Sequence, residues 1–471
     1  MSDGDLAFLD ARTLVARYKD GSLSPVEIAS TLLQRIEKFD GPLNAWCYLE
    51  EETTLAQARR SEERWRRHQP AGRLDGVPVA VKDIFLTKGW PTRKGSKLVD
   101  TNQTWPDDSP VVASLRRHGA VLLGKTTTPE LGWKAVTDSP LTGVTRNPWD
   151  TRVTPGGSSG GSAAALAAGM VPLALGTDGG GSIRIPAAFT ATVGIKPTWG
   201  RVPHWPVSPY GPLAHSGPMA RTVADTALLL GVLAEFDPRD PAALMPDHTD
   251  YLANLDQGVK GLRVAYSSDL GYVDHIDPEI AAAVRKAAGA LEALGASVEQ
   301  RDPGFSDPLE VFQMHWDAGA AQSVGPLTSE QRAQMDPGLA EATARGAKAT
   351  AVEFLDANAA RGALAVSMSL FFQDYDLLLT PTMPIAPFQA GRDVPAGWTK
   401  PGGWPSWTPF TYPFNLTQQP AISIPCGFTS SRLPIGLQIV GARGADATVL
   451  RAASAYEAAH PSGETWPALP D

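Results

Sequence analysis

Cysteine is nearly absent from this chain. Two of 471 residues, Cys47 and Cys426, carry thiols, too few for a disulfide framework, so a reducing compartment, the cytoplasm, is expected. Histidine is sparse as well: the eight histidines include no H-x-x-x-H pair and no Cys/His cluster, so their spacing points to no metal site. Long apolar runs are missing. The most apolar stretch, residues 163–175, is interrupted by Gly169 and Pro172 and is too short to span a bilayer. The start, Met1-Ser2-Asp3-Gly4-Asp5, is acidic and no apolar leader core follows, so no signal peptide is expected. Positive charge is in deficit: 41 Lys and Arg against 50 Asp and Glu give a formal net charge of −9, which argues against nucleic acid or an anionic membrane as the main partner. Even the arginine-dense stretch, residues 59–67, interleaves Glu62 and Glu63 and reads as a solvated helix face. Linkers of low complexity and internal repeats are also missing, so one large domain spanning 1–471 is expected.

What is present alternates between two periods. Residues 10–19, 24–38, 50–67, 109–118, 222–235, 278–294 and 445–459 read as helices, the second opened by Ser24-Pro25 with Glu27 at the capping-box position. Residues 77–82, 120–124, 261–266, 297–300, 376–381, 421–425 and 434–440 read as strands. Helices alternating with short apolar strands indicate an α/β fold.

The chemistry is concentrated in three places. Two serine-bearing glycine clusters lie about two dozen residues apart: Gly156-Gly157-Ser158-Ser159-Gly160-Gly161-Ser162 and Thr177-Asp178-Gly179-Gly180-Gly181-Ser182-Ile183-Arg184. Upstream, Lys82 ends the apolar alternation Val77-Pro78-Val79-Ala80-Val81-Lys82-Asp83. A serine hydroxyl is a weak nucleophile and needs a base. A lysine can be that base only when neutral, a state that burial favours. Residues without Cβ before Ser182 allow backbone N–H groups of Gly179, Gly180, Gly181 and Ser182 to converge on an oxyanion. The run after Ser182 reads as a helix start, whose free N–H groups also favour negative charge.

These blocks, with Thr145-Arg146-Asn147-Pro148-Trp149-Asp150, Gly194-Ile195-Lys196-Pro197-Thr198, Gly217-Pro218-Met219-Ala220-Arg221 and Pro420-Ala421-Ile422-Ser423, resemble the amidase signature family over nearly the whole length. The resemblance implies a mixed β-sheet covered by helices on both faces. It also implies Lys82 as catalytic lysine, Ser158 as a bridging serine after a cis peptide, and Ser182 as the acyl-accepting nucleophile. Ser159, Thr177, Asp178 and Arg184 are expected to brace the site. No cofactor and no metal is expected. Two positions depart from the family's habit: Gly179, where a larger residue such as threonine is common, and Gln418, where glycine is usual. Both are expected near the acyl pocket.

Other patterns compete for the same residues. Gly156, Ser158 and Gly160 fit the G-x-S-x-G elbow of α/β-hydrolase esterases, but the preceding residues 150–155 read as loop where that elbow needs a strand. Residues 119–126 fit G-x-x-x-x-G-K-[ST], but their apolar middle reads as a strand, not as a phosphate cradle. A flexible linker at 156–161 does not suit a mid-chain position between apolar segments.

Residues 382–413 are dense in Pro, Gly and Trp and long for a connection. With residues 199–212 they are candidates for walls of the substrate site. Trp133, Trp199, Trp205, Tyr210, Trp398, Trp404 and Trp407 are the candidate substrate contacts. The expected substrate is a small-molecule amide with an uncharged apolar or aryl group on one side of the bond, esters and carbamates being further candidates. The expected protein is a monomer or homodimer. The alternative is the amide-hydrolysing component of a tRNA-dependent amidotransferase, its A subunit, which would hydrolyse glutamine for a partner.

Overall fold

The structure, a computed structural model, describes residues 6–246, 249–460 and 466–469. Residues 1–5, where no leader is expected, lie outside the described residues. In chain order the strands are β1 (Trp46–Leu49), β2 (Pro78–Lys82), β3 (Val121–Thr126), β4 (Asp138–Ser139), β5 (Gly143–Val144), β6 (Leu173–Asp178), β7 (Val193–Lys196), β8 (His215–Ala220), β9 (Arg263–Tyr266), β10 (Ser297–Gln300), β11 (Leu377–Pro381), β12 (Ala421–Phe428) and β13 (Pro434–Gly441). β4 and β5 pair with each other; the other eleven form one sheet, ordered β1-β3-β2-β6-β8-β7-β12-β13-β11-β9-β10. The sheet is mixed. β2 runs parallel to β3 and β6, whereas β6 and β8 are antiparallel.

Alternation along β2 explains why helices cover both faces. Val79 and Val81 point into one apolar cluster with the helices Val223–Leu233, Pro278–Ala293 and Asp446–Ala459. Ala80 points into a second cluster with Pro25–Leu43 and Gly160–Ala167. The period-two pattern that ends in Lys82 therefore carries this lysine to the face of the helix that follows the first serine cluster.

The periodic segments fold as their patterns dictate: Pro25–Leu43, Pro278–Ala293 and Asp446–Ala459 are helices, and Arg263–Tyr266 and Leu377–Pro381 are strands. Three central strands give no such pattern. The 163–175 run divides at Gly169 (φ 68) into the end of one helical segment and the start of β6. β7 has only four residues, and β8 contains Gly217 and Pro218, which weaken any strand pattern. The capping box at Glu27 does not close: Ser24 accepts from the Val26 N–H and donates its own hydroxyl to Glu62 (2.5 Å).

The P-loop pattern is a fully buried strand, β3. Its Lys125 Nζ donates to Phe85 O (3.0 Å) and pairs with Asp83 (3.2 Å). Both cysteines are free, and no helix of the described residues is long and apolar enough to cross a membrane.

Candidate active site

Lys82 is fully buried at the end of β2. Its Nζ lies 2.7 Å from Ser158 Oγ, 3.0 Å from Ser159 Oγ and 2.7 Å from Thr177 Oγ1. Burial pushes the amine well below its ordinary value, with the negative charge of Asp178 opposing. Among the described residues Lys82 has hydroxyl partners but no ion-pair partner within bonding distance, so the site favours its neutral form.

Ser158 follows a cis Gly157–Ser158 peptide bond. No strand leads directly into it, so the α/β-hydrolase elbow is absent. The linker reading fails on packing. A Cβ on Gly157 would stand 2.5 Å from backbone atoms of Val136, so the loop is pressed against a neighbouring chain segment that only glycine admits.

The second serine cluster is held from below by a buried ion pair. Asp178 accepts from Arg184 Nε and Nη2, both at 2.9 Å, from Gly181 N (2.7 Å) and from Asn415 Nδ2 (2.8 Å). Burial alone would raise its carboxyl, but Arg184, Lys196 and these donors outweigh it and hold it well below the usual carboxylate range. Arg184 is completed by Thr411 O (2.9 Å), Gln438 Oε1 (2.8 Å) and Asn415 Oδ1 (2.7 Å). Asp178 and Arg184 thus hold the turn through these bonds. Ser159 joins the two clusters, since its N–H donates to Ser182 O (3.1 Å) and its hydroxyl to Thr177 O (3.3 Å).

One oxyanion candidate is corrected. The Gly181 N–H is already given to Asp178, so it is spent on the brace. The N–H groups of Gly179, Gly180 and Ser182 have no such partner among the described residues.

Ser158 and Ser182 both line a cavity of about 290 Å³. Of the seven aromatic candidates, Trp205 and Tyr210 line it. Trp133 and Trp404 line a second cavity of about 390 Å³ instead. Trp199, Trp398 and Trp407 line neither. Trp407 is fully buried, stacks on Phe189 (6.3 Å between ring centres) and donates its indole N–H to Asp393 O (3.0 Å). Trp398 gives its indole N–H to Ser406 (2.8 Å). The 382–413 segment thus supplies core and a wall of the second cavity, and none of it lines the cavity that holds the serines.

The aromatic that sequence reading missed is Trp316, which lines both cavities. It stacks on Tyr210 at 4.1 Å and donates its N–H to Trp133 O (2.9 Å). A lone tryptophan within a helix carries no signal of that role. Gly179 lines the first cavity, as expected. Gln418 does not; it has left-handed backbone (φ 68) and donates to Pro212 O (3.3 Å).

The sheet order and the Lys–Ser–Ser cluster define a class of hydrolase. A family model described as Amidase matches residues 27–450, and the chain belongs to the amidase signature family, whose enzymes hydrolyse amide C–N bonds. It is 38% identical over 475 residues to an acylamidase of Rhodococcus erythropolis, covering 99% of each chain. It is also 38% identical over 482 residues to the glutamyl-tRNA(Gln) amidotransferase A subunit of Myxococcus xanthus, covering 97% of each. A solved bacterial aryl acylamidase superposes with a TM-score of 0.90 at 34% identity, covering 96% of each chain.

Proposed function

We propose that the chain is a free-standing amidase, monomeric or homodimeric, acting on small amides with an apolar or aryl group on one side of the bond. The observation that carries this reading is a desolvated lysine 2.7 Å from Ser158 in the cavity that Ser182 also lines. A neutral amine has two N–H donors and one lone pair. The Ser159 hydroxyl hydrogen is given to Thr177 O, so Ser159 can only accept from Lys82. With a second hydrogen given to Thr177 Oγ1, the lone pair is left for the Ser158 hydroxyl.

Ser182 Oγ then attacks the acyl carbon as its proton passes to Ser158 and that of Ser158 to Lys82. The oxyanion is met by the free N–H groups around Gly179, Gly180 and Ser182. The proton returns through Ser158 to the leaving nitrogen, the C–N bond breaks, and an acyl-Ser182 ester remains. Water attacks this ester with the same relay, releasing the acid and restoring Ser182. The aromatic faces of Trp205, Tyr210 and Trp316 along the cavity suit a flat apolar group.

The test is Ser182→Ala together with a serine-directed fluorophosphonate and a panel of aryl, alkyl and amino-acid amides. Turnover of an aryl amide, its loss in Ser182→Ala, and label on Ser182 are expected. Label on Ser158 or Ser159 with Ser182 unmodified would reverse the assignment.

A second reading has support in the equal identity to the amidotransferase component. Glutamine hydrolysis that appears only with a co-purifying partner would favour it over a free-standing enzyme.

A further inference from the structure

One charged side chain of the catalytic cavity is used neither by the relay nor by the brace. Lys94 lines the cavity with Ser158 and Ser182. Its backbone is fixed in the left-handed region (φ 54), and its carbonyl accepts from Leu131 N (2.7 Å), so the side chain is anchored from a rigid corner. Among the described residues its ammonium has no hydrogen-bond or ion-pair partner. Burial lowers the Lys94 amine from its ordinary value and the charge of Asp83 opposes this, but Asp83 is itself paired with Lys125 at 3.2 Å. The other charged residue of the lining, Asp178, is saturated by Arg184 and Asn415.

Beside Lys94 stands His204, whose Nδ1 is engaged with Ser216 Oγ (2.8 Å) and whose Nε2 has no partner among the described residues. Burial, with Lys94 adding to it, pushes His204 down to about 4 against the pull of Asp240, so at neutral pH it is an uncharged hydrogen-bonding group. The cavity therefore has an aromatic wall at Tyr210 and Trp316 and, elsewhere in its lining, an unspent cation beside a neutral imidazole.

We propose that Lys94, assisted by His204, binds a carboxylate carried by the substrate, so that the preferred amides are acylated aromatic amines or amino acids bearing an acid group. This rests on the amidase reading and names its substrate class. An unpaired, partly buried ammonium in a half-open cavity gains from an anionic partner, and a carboxylate can accept from Lys94 Nζ and His204 Nε2 together.

The experiment compares ortho-, meta- and para-acetamidobenzoate with the methylacetanilides of the same substitution, in the wild type, Lys94→Met and Lys94→Arg. The expected result is a kcat/KM for one acetamidobenzoate isomer about 10- to 100-fold above its methyl counterpart, the range of a charge-assisted hydrogen bond. Lys94→Met should collapse that ratio, mainly through KM, and Lys94→Arg should retain part of it. A wild-type ratio near one, or a ratio unchanged in Lys94→Met, overturns the proposal while the methylacetanilides still report an amidase. If the wild type cleaves neither series, the aryl-amide reading fails, and benzoate binding to the wild type and Lys94→Met by calorimetry decides the carboxylate site alone. Equal affinity or no binding in both overturns it; binding to the wild type that is lost in Lys94→Met sustains it.

Discussion

Gly179 is where the amidase signature pattern is broken in a way the cavity can feel. Its φ lies outside the left-handed range, so the backbone would accept alanine. What forbids a side chain is Trp316. A Cβ on Gly179 would meet Trp316 Cζ3 at 2.9 Å and Cη2 at 3.2 Å, and ordinary contact begins at 3.4 Å, so the ring would have to retreat by at least about 0.5 Å. It has little freedom to do so. The indole is tied to Trp133 O (2.9 Å), stacked against Tyr210 (4.1 Å) and Phe312 (5.2 Å), and met edge-on by Trp404 (5.3 Å). Overpacking of this kind costs about 1–3 kcal/mol. Gly179→Ala is therefore expected to lower the unfolding free energy by that amount, read as a lower urea midpoint at unchanged m. It should also change the ratio of kcat/KM between bulky aryl and small alkyl amides, because the displaced ring is a wall of the catalytic cavity. Trp316→Leu removes the obstacle, so in the double variant the penalty of Gly179→Ala should shrink, with an interaction of about 0.5–3 kcal/mol. Wild-type stability in Gly179→Ala, or strict additivity with Trp316→Leu, would refute the view that glycine at 179 exists to seat this tryptophan.

Three further outcomes rest on the buried lysine and on the buried ion pair. Lys82→Ala should reduce amide turnover by about 10²–10⁴-fold, the usual contribution of a general base, and reduce an activated ester less, because the relay also protonates the leaving nitrogen. The active form is the neutral amine, and burial lowers its proton affinity, so wild-type rate should rise with pH through that lowered value and then level. A matched amide and ester losing equally in Lys82→Ala would argue against the Ser158 relay. Arg184→Met should destabilise the fold by about 3–5 kcal/mol, since it leaves the fully buried Asp178 without its cation. Asp178→Asn in that background should restore part of the loss, as read by urea midpoints; no difference between the two backgrounds would show that the pair is not what holds the Ser182 turn.

The reactive cluster was legible because its geometry is local. Glycine spacing reports close backbone approach directly, and the approach of Gly157 to Val136 is of that kind. Period-two alternation likewise predicts that Lys82 ends a buried strand. The substrate walls were not legible, because whether a tryptophan meets a cavity depends on which helix or loop packs over it. The Trp-rich 382–413 segment reads as a candidate wall of the substrate site, yet Trp407 fills core against Phe189 and Phe388. A single residue on an unremarkable helix, Trp316, holds the position between the two cavities. Lys94 makes the same point with charge. In sequence it is one of 41 basic residues, and only the fold shows that it lines the cavity of the serines while Asp83, the carboxylate that acts on it, is spent on Lys125. Gln418 is the converse: sequence marks it as unusual, but its left-handed backbone and its bond to Pro212 make it a turn residue in a place that glycine occupies at lower cost. Departures from a family pattern therefore divide by whether the side chain reaches the cavity. On that criterion Gly179 bears on specificity, whereas Gln418→Gly is expected to act on stability alone, raising the urea midpoint slightly and leaving the aryl-to-alkyl ratio unchanged. A change in that ratio would place position 418 in the substrate site after all.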